Sequence, residues 1–433
     1  MSKEKSFARL PGFRDFVPED LAIRNHIFSA WRRVSRRYGF VEYDGPPLEP
    51  LDLYVEKSGE EIMGQLYHFV DKGERDVTLR PEATPTLARV LGERSRAMPK
   101  PIRWFTIPQL FRYERQQRGR LREHFQWNVD VVGEGSVAAD AEVVAVAIDA
   151  LRELGLEAGD FHARVSDRRV LSALLRACGV TEERLLVAYT VVDKLERDPP
   201  EVTAERLTEE CGLDPDQAQQ VLQLFQIDGL DSLAASFPDN LEVRESAGEM
   251  RAYLDALASM GLGDFVTFDL KIVRGLAYYT GIVFELFDRK GEFRAICGGG
   301  RYDRLLELVG GEPLPAVGFG MGDPVLTEIL QERGLIPEYR PRVDYYIVTI
   351  GAEQRPLALR LAHALRDDGK EVLYALRDQA VKKQFNQAGN AGAREVIILG
   401  PDEVSRGMAV VRDMETGGER EVPLEELLPP EGP

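Results

Sequence analysis

With 433 residues, at roughly 150 residues per domain, the chain is too long for one small domain and suggests about three. A composition of 44% hydrophobic and 30% charged residues excludes the disordered, collagen-like and disulfide-scaffold classes. The 73 Asp and Glu outweigh the 55 Lys and Arg to give a net charge of −18, a sum that by itself argues against a nucleic-acid partner.

Ile23, Ile27, Trp31, Val34 and Tyr38 recur at helical spacing and are followed by Gly39 where a left-handed cap would sit, so a first helix is predicted there. A Pro-rich connection (Pro46, Pro47, Pro50) leads to residues 66–80, which alternate around Asp71-Lys72-Gly73-Glu74 and read as a hairpin. Two extended segments within 103–133, joined by the basic loop Gln116 to Arg122, read as a second. Val144, Ile148 and Leu151 mark a helix over 140–155, and residues 165–262 are mainly helical in pattern, with an acidic stretch from Glu196 to Asp216; they read as an insertion. Extended segments at 281–288 and 293–297 precede GGGRYD, and a Gly-rich strand and helix over 316–333 close the core. Beyond the linker RGLIPEYRPR, YYIVTI, EVLYAL and REVIILG alternate with helical patterns, as in a small α/β domain with parallel strands. The expected boundaries are 1–164 and 263–333 for the two parts of the core, 165–262 for the insertion and 341–429 for the last domain.

The segment 103–122 reverses the overall sign: Arg103, Arg112, Arg115, Arg118, Arg120 and Arg122 face one acid, Glu114. Arginine suits bidentate phosphate recognition, and a loop between strands can close over a polyphosphate; a solvated basic hairpin is the plainer alternative. On the strand that follows, period two places His124, Gln126, Asn128 and Asp130 on one face and Phe125, Trp127, Val129 and Val131 on the other. The bulky side is the expected core side, leaving the polar side to a cavity or to solvent. Arg274 precedes Tyr278 and Tyr279, and Gly298 to Gly300 permit close backbone approach beside Arg301, although a tight bend would use the same glycines. GFGMG (318–322) is not the GxGxxG fingerprint, and no P-loop is present. Cys178, Cys211 and Cys297 are scattered without metal-ligand spacing, fitting a reducing cytoplasm, and no apolar run approaches the roughly 18 residues of a membrane span.

Taken together, TLRPEAT (78–84), FRYERQQRGRLREHFQWNVDVVG (111–133), RGLAYYTGIVFE (274–285) and GGGRYDRL (298–305) resemble the histidyl-tRNA synthetase family of class II aminoacyl-tRNA synthetases, in order and spacing. Pro46 is similar to the motif 1 proline of the dimer interface, and KKQFNQAGNAGAREVIILG (382–400) to the anticodon-binding domain. The resemblance implies an α+β fold: an antiparallel class II sheet of six to seven strands with flanking helices, a helical insertion and a C-terminal α/β anticodon-binding domain, assembled as a homodimer without a membrane segment. It also implies ATP with Mg²⁺, histidine and histidine tRNA as substrates and partners, no protein ligands assignable to the metal, and a cytoplasmic location.

By that resemblance Arg112 and Arg274 flank the α-phosphate, Glu114 holds the adenine amino group, and Arg120 contacts the outer phosphates. Glu82, Thr84 and Gln126 bind the ammonium end of histidine, Asp130 and Tyr279 contact its two imidazole nitrogens, and Tyr278 also belongs to the histidine site. Gln117 and Arg122 read the 5′ guanosine of the tRNA. Four positions depart from the family pattern: Asp130 stands for Glu, His124 for the aromatic on adenine, Ala277 for Asp, and Pro324 and Val325 for the Glu-Arg that ends motif 3. Arg301 is the candidate for the missing cation. A histidine-sensing regulatory subunit that does not ligate is the alternative, but that family lacks the C-terminal domain.

Overall fold

Helix α1 (Pro18–Arg37) forms where the apolar spacing predicts it, with acids in its first turn and Arg36 and Arg37 in its last, the polarity a helix dipole favours. Ile27, Trp31 and Val34 are buried, and Gly39 follows in the left-handed conformation at φ 74°. This computed structural model describes residues 7–58, 60–113, 119, 121–274, 278–307 and 311–428, except the side chains of 56–58 and 60–62. The chain divides into two units, Met1–Pro337 and Glu338–Pro433.

In the first unit, β1 (Val41–Glu42), β2 (Leu48–Pro50), α2 (Asp52–Ser58), β3 (His68–Val70) and β4 (Asp76–Leu79) follow α1. β3 and β4 are the expected hairpin, closed by Asp71, whose carboxylate accepts from the Gly73 and Arg75 amides at 2.8 and 3.0 Å. After α3 (Thr84–Arg94) come β5 (Ile102–Thr106), β6 (Gln109–Phe111), β7 (Glu123–Val132), α4 (Val137–Glu153) and β8 (Phe161–Asp167). The helices α5 (Arg168–Ala177), α6 (Leu185–Val192), α7 (Pro200–Cys211), α8 (Pro215–Leu224), α9 (Leu230–Ala235) and α10 (Leu241–Ser259) occupy the expected insertion. Residues 165–167 belong instead to β8, within the main sheet. β9 (Val266–Phe268), β10 (Ile282–Asp288), β11 (Cys297–Arg301), β12 (Ala316–Gly322) and α11 (Asp323–Glu332) complete the unit.

The main sheet runs β1-β5-β7-β12-β11-β10-β8-β9, with β6 also paired to β7. β5 to β8 and β10 to β12 pair antiparallel throughout, while the short edges β1 and β9 pair parallel, a feature the sequence patterns do not signal. Trp127, Val129 and Val131 are buried on the expected core side, where Trp31 of α1 stacks on Trp127 at 5.8 Å. α4 is apolar almost all round because it lies between this sheet and the helices α1 and α10. The extended segment expected at 293–297 is displaced: β11 starts at Cys297, so the three glycines are strand residues and not a bend.

The second unit has β13 (Val343–Thr349), α12 (Arg355–Asp367), β14 (Val372–Tyr374), α13 (Val381–Asn390) and β15 (Ala393–Leu399), the three strands parallel as expected. β16 (Met408–Asp413) and β17 (Glu419–Pro423) extend this sheet antiparallel, so it is mixed; their charged edge residues mask the apolar alternation. No described helix is long and apolar enough to cross a membrane.

Candidate active site

The site starts from the register of the main sheet. Asp130, Gly318, Gly300 and Val283 align across β7, β12, β11 and β10, and Asn128, Gly320, Gly298 and Glu285 form the adjacent row. Residues paired in this way share a face, so the polar side of β7 borders a floor of glycine. Close approach demands it. A Cβ on Gly318 would stand 2.2 Å from Asp130 Oδ1, one on Gly320 1.9 Å from Gln126 Nε2, and one on Gly298 1.6 Å from Arg274 Nη1. The alternation in GFGMG is the sequence signal for this floor, and reading it only against a dinucleotide fingerprint misses it.

Two adjoining cavities stand on this floor. The smaller, about 170 Å³, is lined by Glu82, Thr84, Gln126, Asp130, Tyr278 and Tyr279, so the structure gathers all six expected histidine contacts, and adds Asn128 and Tyr302. The larger, about 800 Å³, is lined by His124, Val325, Lys271 and Arg294 among others. Arg112 and Arg274 line both, which places two guanidinium groups where the cavities meet.

Each group is held by identifiable contacts. The Tyr302 hydroxyl donates to Asp130; burial, then Asp130, pushes that phenol well above its ordinary range, so it stays a donor. Burial, then Tyr279, does the same to Tyr278. Arg112 Nε donates to the Pro81 carbonyl at 2.9 Å, tying the basic segment to TLRPE. Arg274 adopts φ 52° and donates from Nη1 to Glu285 Oε1 at 2.7 Å. Burial pushes the Glu285 carboxyl up, and Arg274 pulls it back. With carboxylates, two amides and phenols in the small cavity and cations at its mouth, the site suits a ligand with N–H groups at one end and a phosphate at the other.

His124 lies on the wall of the large cavity, its Nε2 3.3 Å from Gln126 Oε1. Burial, then Arg112, pushes its imidazole down to about 4. The ring is therefore neutral at neutral pH and presents an uncharged aromatic face. In an NMR titration His124 is expected to protonate near pH 4, against ~6.5 for an exposed ring. Because the folded value lies below the unfolded one, the stability tied to the neutral ring is complete above ~6.5 and is lost as the pH falls through the folded value. A midpoint at the exposed value would refute the desolvated, neutral ring.

Arg301 is corrected by the structure. Alternation along β11 puts Gly298 and Gly300 on the cavity face and Arg301 on the opposite one, where its Nε donates to Asp140 of α4 at 2.9 Å and Nη1 to Asp303 at 3.0 Å. It is 4% exposed and lines neither cavity. Lys271 and Arg294 do line the large one, and neither makes an ion pair among the described residues. At the motif 3 position, Val325 packs near Gly119, where a Cβ would be 3.0 Å from Val325 Cγ2. Its helix is fixed by Asp323, which accepts from the Phe125 amide at 2.8 Å and from Arg14 at 2.7 Å. Arg122 stands over the Tyr113 ring at 4.2 Å, away from the cavity lining. Glu114, Gln117, Arg120 and Ala277 lie outside the described residues. Gly298 and Gly300 make the close approach expected of them, whereas Glu285, Tyr302, Lys271, Arg294 and the facing Gly318 and Gly320 are the site components that the sequence patterns do not single out.

Comparison with known proteins adds the family. The family model described as histidyl-tRNA synthetase matches residues 12–322, and that of the anticodon binding domain matches 344–429. The chain is 45% identical over 426 residues to a protein of Opitutus terrae named histidine–tRNA ligase, covering 98% of this chain and 97% of the relative. It is 41% identical to the chloroplastic/mitochondrial histidine–tRNA ligase of Arabidopsis thaliana, covering 96% of this chain and 85% of that one. Among solved structures, the histidyl-tRNA synthetase of Nostoc sp. superposes with a TM-score of 0.80 at 25% identity, covering 98% of both chains.

Proposed function

The chain belongs to the histidyl-tRNA synthetase family, and from that premise we propose that the small cavity holds histidine, the large one ATP, and the arginine pair between them the reacting phosphate. The activity is histidine–tRNA ligation. A histidine carboxylate oxygen attacks the α-phosphorus, the bond to the β-phosphate breaks, and pyrophosphate leaves with the electron pair. The terminal ribose hydroxyl of the tRNA then displaces AMP from histidyl-adenylate. The observation that carries the residue assignment is the shared position of Arg112 and Arg274 at the junction. Charge spread over the phosphoryl oxygens is stabilised there by two cations that need no reorganisation.

Asp130 and Tyr279 take the two imidazole nitrogens, and Glu82, Thr84 and Gln126 the ammonium end. His124 serves as the adenine platform, and Lys271 and Arg294 take over from Arg301 as the cations that stand in for the missing motif 3 arginine against ATP. Family members use ATP with a divalent cation. We assign Mg²⁺ to the phosphates of ATP, whose charge it neutralises. Histidine-dependent ATP–pyrophosphate exchange tests the reading; its absence in a folded, ATP-binding preparation would overturn it. A non-ligating regulatory subunit is not favoured, because the relatives over nearly the full chain are named as ligases.

We assign tRNA to two further surfaces. Gln117 and Arg122 meet the acceptor end, and the second unit, where Tyr346, Tyr374, Arg366 and Arg377 line a cavity of about 500 Å³, meets the anticodon through stacking and charge. If Arg122 pairs with a phosphate, Arg122→Ala should lower the log–log salt slope of tRNA binding by about 1; an unchanged slope would remove the assignment. A homodimer is supported by the exposed Val41, Leu48, Phe69 and Val70 on β1 to β3. Free, buried cysteines fit a cytoplasmic setting.

A further inference from the structure

We infer that Arg168 is a positioning residue for Arg274 and links it to helix α6. Among the described residues only Glu74 and Arg274 take positive φ without being glycine. Glu74 sits in a hairpin turn, where that conformation is ordinary, whereas Arg274 does not. A left-handed arginine persists only where its surroundings hold it there. Arg168 supplies that hold: its Nε donates to the Val273 carbonyl at 2.9 Å and its Nη2 to the Arg274 carbonyl. Those oxygens belong to the peptide groups on either side of the Arg274 Cα. One planar fork thus fixes both planes, and with them the direction in which the Arg274 side chain leaves the backbone.

Arg168 is itself fixed. It is 3% exposed, its amide donates to the Gly281 carbonyl at 3.0 Å, and its guanidinium lies 4.0 Å from the Tyr189 ring of α6. The Tyr189 hydroxyl is in turn 2.5 Å from Ser172 Oγ on α5. Arg168 lines neither cavity, so it acts through Arg274 and not on substrate. A lysine keeps the charge but replaces the rigid planar fork with a freely rotating ammonium on one nitrogen, so it does not fix the two peptide planes relative to one another.

The inference rests on the adenylation role of Arg274, and a double-mutant cycle separates the two. Arg168→Lys is expected to slow single-turnover adenylation by about 10-fold with the KM for histidine nearly unchanged, since small misplacement of a reacting group lowers rate more than binding. In an Arg274→Ala background the same change should slow adenylation no further. A folded Arg168→Lys enzyme with normal rate, or one whose slowing adds to that of Arg274→Ala, overturns the inference. Should Arg168→Lys not fold, Tyr189→Leu gives a milder test with the same non-additivity expected and the same overturning results. An Arg274→Ala enzyme of normal rate overturns the adenylation role beneath it as well.

Discussion

Arg274→Ala is expected to slow histidine-dependent pyrophosphate exchange by about 10²- to 10³-fold, the loss typical of removing one preorganised charge from a developing oxyanion. Histidine KM should change little, because the small cavity keeps its carboxylates, amides and phenols. The effect is large because Arg112 remains alone at the junction, and Arg301, the cation nearest in sequence to the glycine floor, is committed to Asp140 on the far side of the sheet. Removal also strands the half-buried Glu285 carboxylate, which costs stability independently of rate. Combining Arg274→Ala with Glu285→Gln should recover the thermal midpoint without recovering exchange. Recovery of both would show that Arg274 serves only to neutralise Glu285, and normal exchange in the single variant would remove its role altogether.

Gly318→Ala should weaken histidine binding by about 10²-fold, the upper end of what a mispaired buried polar group costs, while ATP still binds. The added methyl would stand 2.2 Å from Asp130 Oδ1, 2.6 Å from the Val129 carbonyl and 2.8 Å from the Tyr302 hydroxyl. The carbonyl belongs to β7, so the methyl fits only if β7 and β12 ease apart at this row, and the Asp130–Tyr302 pair that faces the same methyl is displaced with them. Gly320→Ala is the contrast, because its methyl meets the side-chain amide of Gln126, which can swing aside; a smaller loss is expected there. Equilibrium binding of labelled histidine to the two variants distinguishes the cases, and undiminished binding by Gly318→Ala would mean that histidine does not occupy this pocket.

Much of this site is legible in local pattern. Alternation along 123–132 sorts Gln126 and Asp130 from Trp127 and Val129, and the buried and cavity faces follow it. The same rule applied to GGGR would have set Arg301 apart from Gly298 and Gly300, but only once the strand is known to begin at Cys297, and triple glycine gives no apolar signal for a strand. Motif position likewise points to Arg274 without disclosing its partners. Glu285 is 11 residues away and Arg168 is 106.

By itself the sequence determined the class of fold, the family, the basic loop within an acidic chain and the two faces of the central strand, because each is written in neighbouring residues or in contiguous motifs. Only the tertiary structure decided which side chains meet: Gly318 opposite Asp130, Arg301 drawn to Asp140 across 161 positions, and Arg168 gripping the backbone of Arg274. Periodicity is a property of a single segment. Strand register, close approach to glycine and buried ion pairs arise between segments distant in the chain, and they exist only when the core has packed.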